Sequence, residues 1–103
     1  MNEELLQAIM GLIMNSGNVK SDRMEAIQLA KAGKIEEARA KIEEANKNLV
    51  EAHHSQTGLL TQEAKGEKVE VSLLLIHSQD HLMNAITFKD LAVEVIDLYE
   101  RIA

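Results

Sequence analysis

Residues 35–59, IEEARAKIEEANKNLVEAHHSQTGL, decide the fold. Ile35, Ala38, Ile42, Ala45, Leu49, Ala52, Gln56 and Leu59 follow one another at alternating steps of three and four. That spacing returns to one side of a helix on every turn, so the stretch reads as an amphipathic helix with a heptad seam. Glu36, Glu37, Lys41, Glu43, Glu44 and Lys47 clothe the other faces. Alanine at every second seam position removes side-chain bulk and lets a neighbouring helix come close. The seam turns polar at His53-His54-Ser55-Gln56-Thr57.

Working outward, Gly33 and Gly66 punctuate the chain and leave a segment of about thirty residues on each side of this helix. The N-terminal segment opens with Asn2 as a cap, and Glu3 and Glu4 suit the positive end of a helix dipole. Leu5, Ile9, Leu12, Ser16 and Val19 carry the helical spacing, and Met24, Ile27 and Ala30 resume it. Ser16-Gly17-Asn18 is the place where this helix is expected to bend or break. Lys31 lies in the last turn, with Gly33 as a left-handed cap.

The C-terminal segment, about residues 70–102, differs in kind. Val71, Leu73, Leu74, Leu75 and Ile76 point all round a helix, and a helix apolar on every face is buried on every face. Three helices cannot surround one of their own number, so the pattern predicts self-association with this helix at the centre of a closed ring. A strand over 69–76 is the competing reading, but nothing else in the chain could pair with it. The expectation is one domain, residues 1–103, folded as an all-α antiparallel three-helix bundle. If the third helix runs back along the second, the polar patch at 53–57 should come near His77 and Asp80.

Composition narrows the function. The chain has 103 residues, no proline, cysteine or tryptophan, and a formal net charge of −6. Without cysteine there is no disulfide, zinc-thiolate site or thiol catalysis. An acidic chain with no basic stripe cannot displace counterions from nucleic acid. No apolar run reaches the roughly 18–20 residues that cross a bilayer, and the acidic start does not look like a signal peptide. The expectation is a soluble cytoplasmic protein.

Within the apolar third segment, HSQDHLM at 77–83 stands out. His77, Asp80 and His81 fall on roughly a third of a helix's circumference. Titratable groups are costly in an apolar setting, so three on one face point to chemistry. Metal binding is one reading: two imidazoles at i, i+4 resemble helical zinc motifs, and the pattern loosely echoes H-x-x-E-H. No further ligand is evident. A histidine phosphotransfer domain of a signalling relay is a second, but Ser78-Gln79-Asp80 replaces the Lys-Gly pair that usually follows that histidine. His53 and His54 read as ordinary surface or core residues, since neighbours on a helix face different ways and cannot both join one site.

A third reading rests on longer motifs. The run from Leu74 to Met83 containing HSQDHLM, VEAHHSQTG at 50–58, MGLIMNSG at 10–17 and the closing LAVEVIDLYERIA resemble the IIA component of lactose/cellobiose-type sugar phosphotransferase systems. The resemblance covers nearly the whole chain. His54 departs from it, standing where members often carry a small residue.

The resemblance implies a homotrimer of three-helix subunits, a nine-helix bundle. It implies a phosphocarrier that accepts a phosphoryl group from HPr on a histidine, passes it to the cysteine of a IIB partner and serves a membrane IIC permease. His77 matches the phosphorylated histidine. Neutral imidazole is a good nucleophile, and such transfer needs positioning rather than a nucleotide loop. Asp80 matches the aspartate on the trimer axis, where three carboxylates need compensation by shared protonation or a shared cation, expected to be Mg²⁺. His81 is the candidate to steady the phosphoryl group, against a hydrogen bond to a neighbouring helix. Gln79 is expected to be structural within its subunit, though able to reach a neighbour's histidine. Leu82, Met83 and Ile86 are expected to pack. MGLIMNSG leans toward cellobiose or chitobiose over lactose, without fixing the sugar.

Overall fold

The computed structural model describes residues 2–103. Three helices run α1 Glu3–Lys31, α2 Ile35–Ala64 and α3 Leu73–Ile102. At about 1.5 Å per residue each is about 45 Å long, which accounts for a molecule of 53 × 20 × 19 Å. The order is up, down, up, so α1 and α3 lie parallel while α2 opposes both. α3 rests chiefly on α1 and touches α2 less. No strand forms among the described residues, and 69–72 is irregular chain leading into α3.

The helix ends follow local chemistry. Asn2 Oδ1 accepts the Leu5 N–H at 2.7 Å, and Ser72 Oγ accepts the Leu75 N–H at 3.2 Å. Each hydroxyl or amide oxygen satisfies a donor that the first helical turn leaves without a partner. Ser72 thereby sets the start of α3 slightly later than the expected residue 70. Gly33 and Gly66 both adopt positive φ, +84° and +85°. At the first, Lys34 N donates to Leu29 O and Gly33 N to Ala30 O; at the second, Glu67 N donates to Gln62 O and Gly66 N to Glu63 O. These paired bonds are the Schellman closure that glycine makes cheap.

The expected seam on α2 is the core. Ala38, Ile42, Ala45, Leu49 and Ala52 are buried. Leu12, Val19, Leu82 and Ala85 meet its upper half, while Ala26, Ala30, Ala92 and Ile96 meet its lower half. The break or bend expected at Ser16-Gly17-Asn18 does not interrupt α1, which runs on as one helix. Ser16 is fully buried there, and Gly17 faces the ring of His81. Packing against α3 overrides the weak helix propensity of those three residues. Arg23, between the two core clusters on α1, keeps only 9% of its surface and stacks its guanidinium 4.0 Å over the Phe88 ring.

α3 does not bury all its faces within one chain. Leu73, Ile76, Met83, Leu91 and Leu98 stay 53–82% exposed. With Asp80 among them, they recur at helical spacing as a second seam facing away from the core.

Candidate functional site

His77 and His81 stand one turn apart on α3, because residues at i and i+4 share a helix face. Their rings stack with centroids 5.6 Å apart and 18° between planes. His77 is exposed and borders a shallow apolar hollow with Leu73 and Leu74. Its ring is therefore reachable from solvent while its surroundings are aliphatic. Ser78, between α3 and the core, is fully buried and donates its hydroxyl to Leu75 O at 2.7 Å, so it faces away from His77.

His81 is half-buried and better held. Lys20 Nζ on α1 lies 2.8 Å from its Nδ1. An ammonium can only donate, so Nδ1 accepts and the neutral ring keeps its proton on Nε2. A Cβ built on Gly17 would sit 3.9 Å from that Nε2, an ordinary contact, so this edge of the ring lies beside α1 without being crowded by it. Burial first, then the charges of Lys20 and His77, pull the His81 pKa below its ordinary value; Asp80 opposes them. His81 is thus kept as a neutral N–H donor beside His77.

Asp80 parts from this pair. It is exposed and accepts a hydrogen bond from Asn84 Nδ2 at 3.4 Å on its own helix. It lies on the outward apolar seam, about 60° around the helix from His77. Among the described residues no three histidine, aspartate or glutamate side chains stand close enough to hold a metal. One chain therefore offers a cation only one carboxylate at Asp80.

The polar patch on α2 meets this site in part. Gln56 Nε2 donates to Gln79 Oε1 at 2.7 Å, joining α2 to α3 behind His77. Gln79 is a tie between helices, as expected. His53 and His54 are exposed and line one open groove with Val50, Thr57, Gly58 and Gln62. Adjacent on α2, they diverge by about 100°, as expected, and only the breadth of the groove brings both to its rim. They do not join His77. Leu82 is fully buried and Ile86 packs on the core, but Met83 is 53% exposed. Its expected packing does not occur inside the chain because it lies on the outward seam.

Lys20 was absent from the sequence reading. A single lysine on an amphipathic helix usually serves solvation, and only parallel packing of α1 on α3 brings it to a residue sixty-one positions away. Gly17, one turn earlier inside MGLIMNSG, was the available hint, since a glycine within a helix often marks a close approach.

Among known proteins, residues 7–100 match the family model described as "PTS system, Lactose/Cellobiose specific IIA subunit". The lichenan-specific phosphotransferase enzyme IIA component of Bacillus subtilis is 55% identical over 102 residues, covering 99% of this chain and 93% of that protein. The crystal structure of the cellobiose-specific enzyme IIA from Bacillus anthracis superposes with a TM-score of 0.95 at 54% identity, covering 99% of this chain and 94% of that one. The chitobiose IIA of Escherichia coli, solved in solution as a complex with HPr, superposes with a TM-score of 0.84 at 40% identity, covering 98% of each.

Proposed function

The chain belongs to the lactose/cellobiose-specific IIA family of the sugar phosphotransferase system, and on that basis we propose that it carries a phosphoryl group on His77 between HPr and a IIB partner. The observation that carries the reading is the His77 ring: exposed, set in an apolar hollow and backed by a neutral histidine. In the first step the P–N bond of phospho-HPr breaks as a P–N bond to His77 forms. In the second, that bond breaks as a P–S bond forms to the cysteine of IIB. Both steps are displacements at phosphorus, for which alignment and charge stabilisation supply the catalysis. His81 Nε2–H donates to the phosphoryl oxygens. The aliphatic hollow at Leu73 and Leu74 excludes water from a labile phosphoramidate once a partner covers it. The Escherichia coli relative's complex with HPr supports the choice of donor.

The outward seam of α3 supports a homotrimer, with three copies of α3 burying Leu91, Leu98 and Met83 against one another. Asp80 then meets its two copies on the axis. Among the described residues its oxygens have only the long Asn84 contact as a hydrogen bond, so three carboxylates fit a hard cation such as Mg²⁺, which would supply charge neutralisation there. Among the described residues no helix is long and apolar enough to cross a membrane. Membership of the family supports a cytoplasmic carrier working beside a IIC permease. The sugar of such a system is a β-linked disaccharide of the cellobiose, chitobiose or lactose class; this subunit hands on phosphate and does not choose it.

The test is incubation with phosphoenolpyruvate, Enzyme I and HPr, followed by intact mass. One acid-labile phosphoryl group per chain is expected, absent in His77→Gln. A label that persisted in that variant would move the site elsewhere.

A further inference from the structure

We propose that Lys20 is a positioning residue for this phosphoryl site, holding His81 in the one ring orientation and tautomer that presents Nε2–H to a group on His77. The inference rests on the reading of His77 as the phosphoryl acceptor. Its geometric basis is separate: Lys20 Nζ is 2.8 Å from His81 Nδ1, the two histidine rings are stacked, and α1 passes the Nε2 edge at Gly17 without crowding it.

A free histidine side chain rotates about its last bond and exchanges its proton between two nitrogens. Either freedom can place a lone pair where the phosphoryl oxygens arrive, and a lone pair repels them. An ammonium bound to Nδ1 removes both freedoms, because it cannot accept and will not let that nitrogen carry a proton. The other nitrogen must then be the donor. This is the arrangement by which outer groups orient histidine ligands, used here toward a phosphate rather than a metal. No proton changes hands: Lys20 keeps its three and His81 keeps its own. Lys20 sits on α1, so the site depends on the parallel packing of α1 on α3. Arg23, one turn on, supports that placement by donating from Nε to the Lys20 carbonyl at 3.3 Å and stacking on Phe88.

A lysine that instead swings out to touch the phosphoryl group directly is the competing arrangement, and a double-mutant cycle separates the two. The measurements are ¹⁵N spectra of the ring nitrogens of the resting protein, taken at alkaline pH where histidine is neutral, and the rate of phosphoryl transfer from HPr. In the wild type His81 Nδ1 should carry the shift of a hydrogen-bonded acceptor. Lys20→Met should move it to that of an unbonded nitrogen, and Lys20→Arg should restore it. Lys20→Met should slow transfer about tenfold, less than the roughly hundredfold cost of deleting a preorganised donor outright. In a His81→Phe background the same substitution should change the rate less than about twofold, since the residue it acts through is gone. An equal loss in both backgrounds would overturn the positioning role. So would a ring-nitrogen spectrum indifferent to Lys20. If the wild type took no phosphate from HPr while the spectra behaved as expected, the pair would stand and the phosphocarrier reading would fall, taking the purpose assigned to the pair with it.

Discussion

The rings of His77 and His81 stack at 5.6 Å, close enough for a charge on His77 to disfavour one on His81. Burial first, then the Lys20 ammonium and this neighbouring ring, depress the His81 pKa in the folded chain. Below about 6.5, the ordinary histidine value, the unfolded chain therefore binds a proton that the folded one resists. The contribution of His81 to stability is complete above that value and is lost as pH falls toward the depressed folded value. Urea midpoints at neutral pH and near pH 5.5 should drop more for the wild type than for His81→Gln. Equal drops would mean that His81 is not held neutral by the fold.

Leu82 should be the costliest side chain on α3 to shorten. It is fully buried and packs with Leu12, Val19, Leu49 and Ala52. Leu82→Ala should destabilise the chain by about 2–5 kcal/mol, the usual range when a rigid core retains most of the cavity. Chemical denaturation checks this, and a loss under 1 kcal/mol would show that the alanine-rich surroundings collapse into the space.

Gly33 and Gly66 should both resist substitution, though nothing crowds either. A Cβ at either position would meet no atom within 4 Å, so any cost comes from φ alone. Positive φ costs a non-glycine residue about 1–2 kcal/mol, and Gly33→Ala and Gly66→Ala should each lose about that amount in urea. Gly58→Ala is the control: it too has open space, but it lies in mid-helix without positive φ. That substitution should stabilise the protein by up to about 1 kcal/mol.

How far the sequence could be read depended on the range of each interaction. The seam from Ile35 to Ala52, the Asn2 cap and the Gly33 turn are set by residues within a few positions of one another, and all were legible. The break expected at Ser16-Gly17-Asn18 fails because Ser16 is buried and Gly17 faces His81, contacts to which propensity is blind. In the site, His77, Asp80 and His81 were singled out by type and spacing; the two rings stack and Asp80 lies on the outward face, while the roles given to them rest on the resemblance. Lys20 did not, since its meaning lies wholly in a partner sixty-one residues away. Met83 was misjudged for a related reason: its apolar character was plain, but not that its place on α3 faces away from the core.

The last prediction uses that outward seam. Leu91 and Leu98 are 55% and 58% exposed, and burying an apolar side chain of this size is worth about 1.5–3 kcal/mol. In a trimer each would be buried three times over, so Leu91→Glu should dissociate the assembly in sedimentation measurements. Asp80→Leu should do the reverse. It replaces a carboxylate that the proposed trimer would bury on its axis with a side chain like those flanking it, and exchanging buried charge for apolar packing is often neutral or stabilising. Chelator should loosen the wild-type trimer and leave the Asp80→Leu trimer untouched, because only the former has carboxylates to neutralise. A folded monomer from Asp80→Leu would mean that Asp80 makes a bond across the interface that no apolar residue replaces.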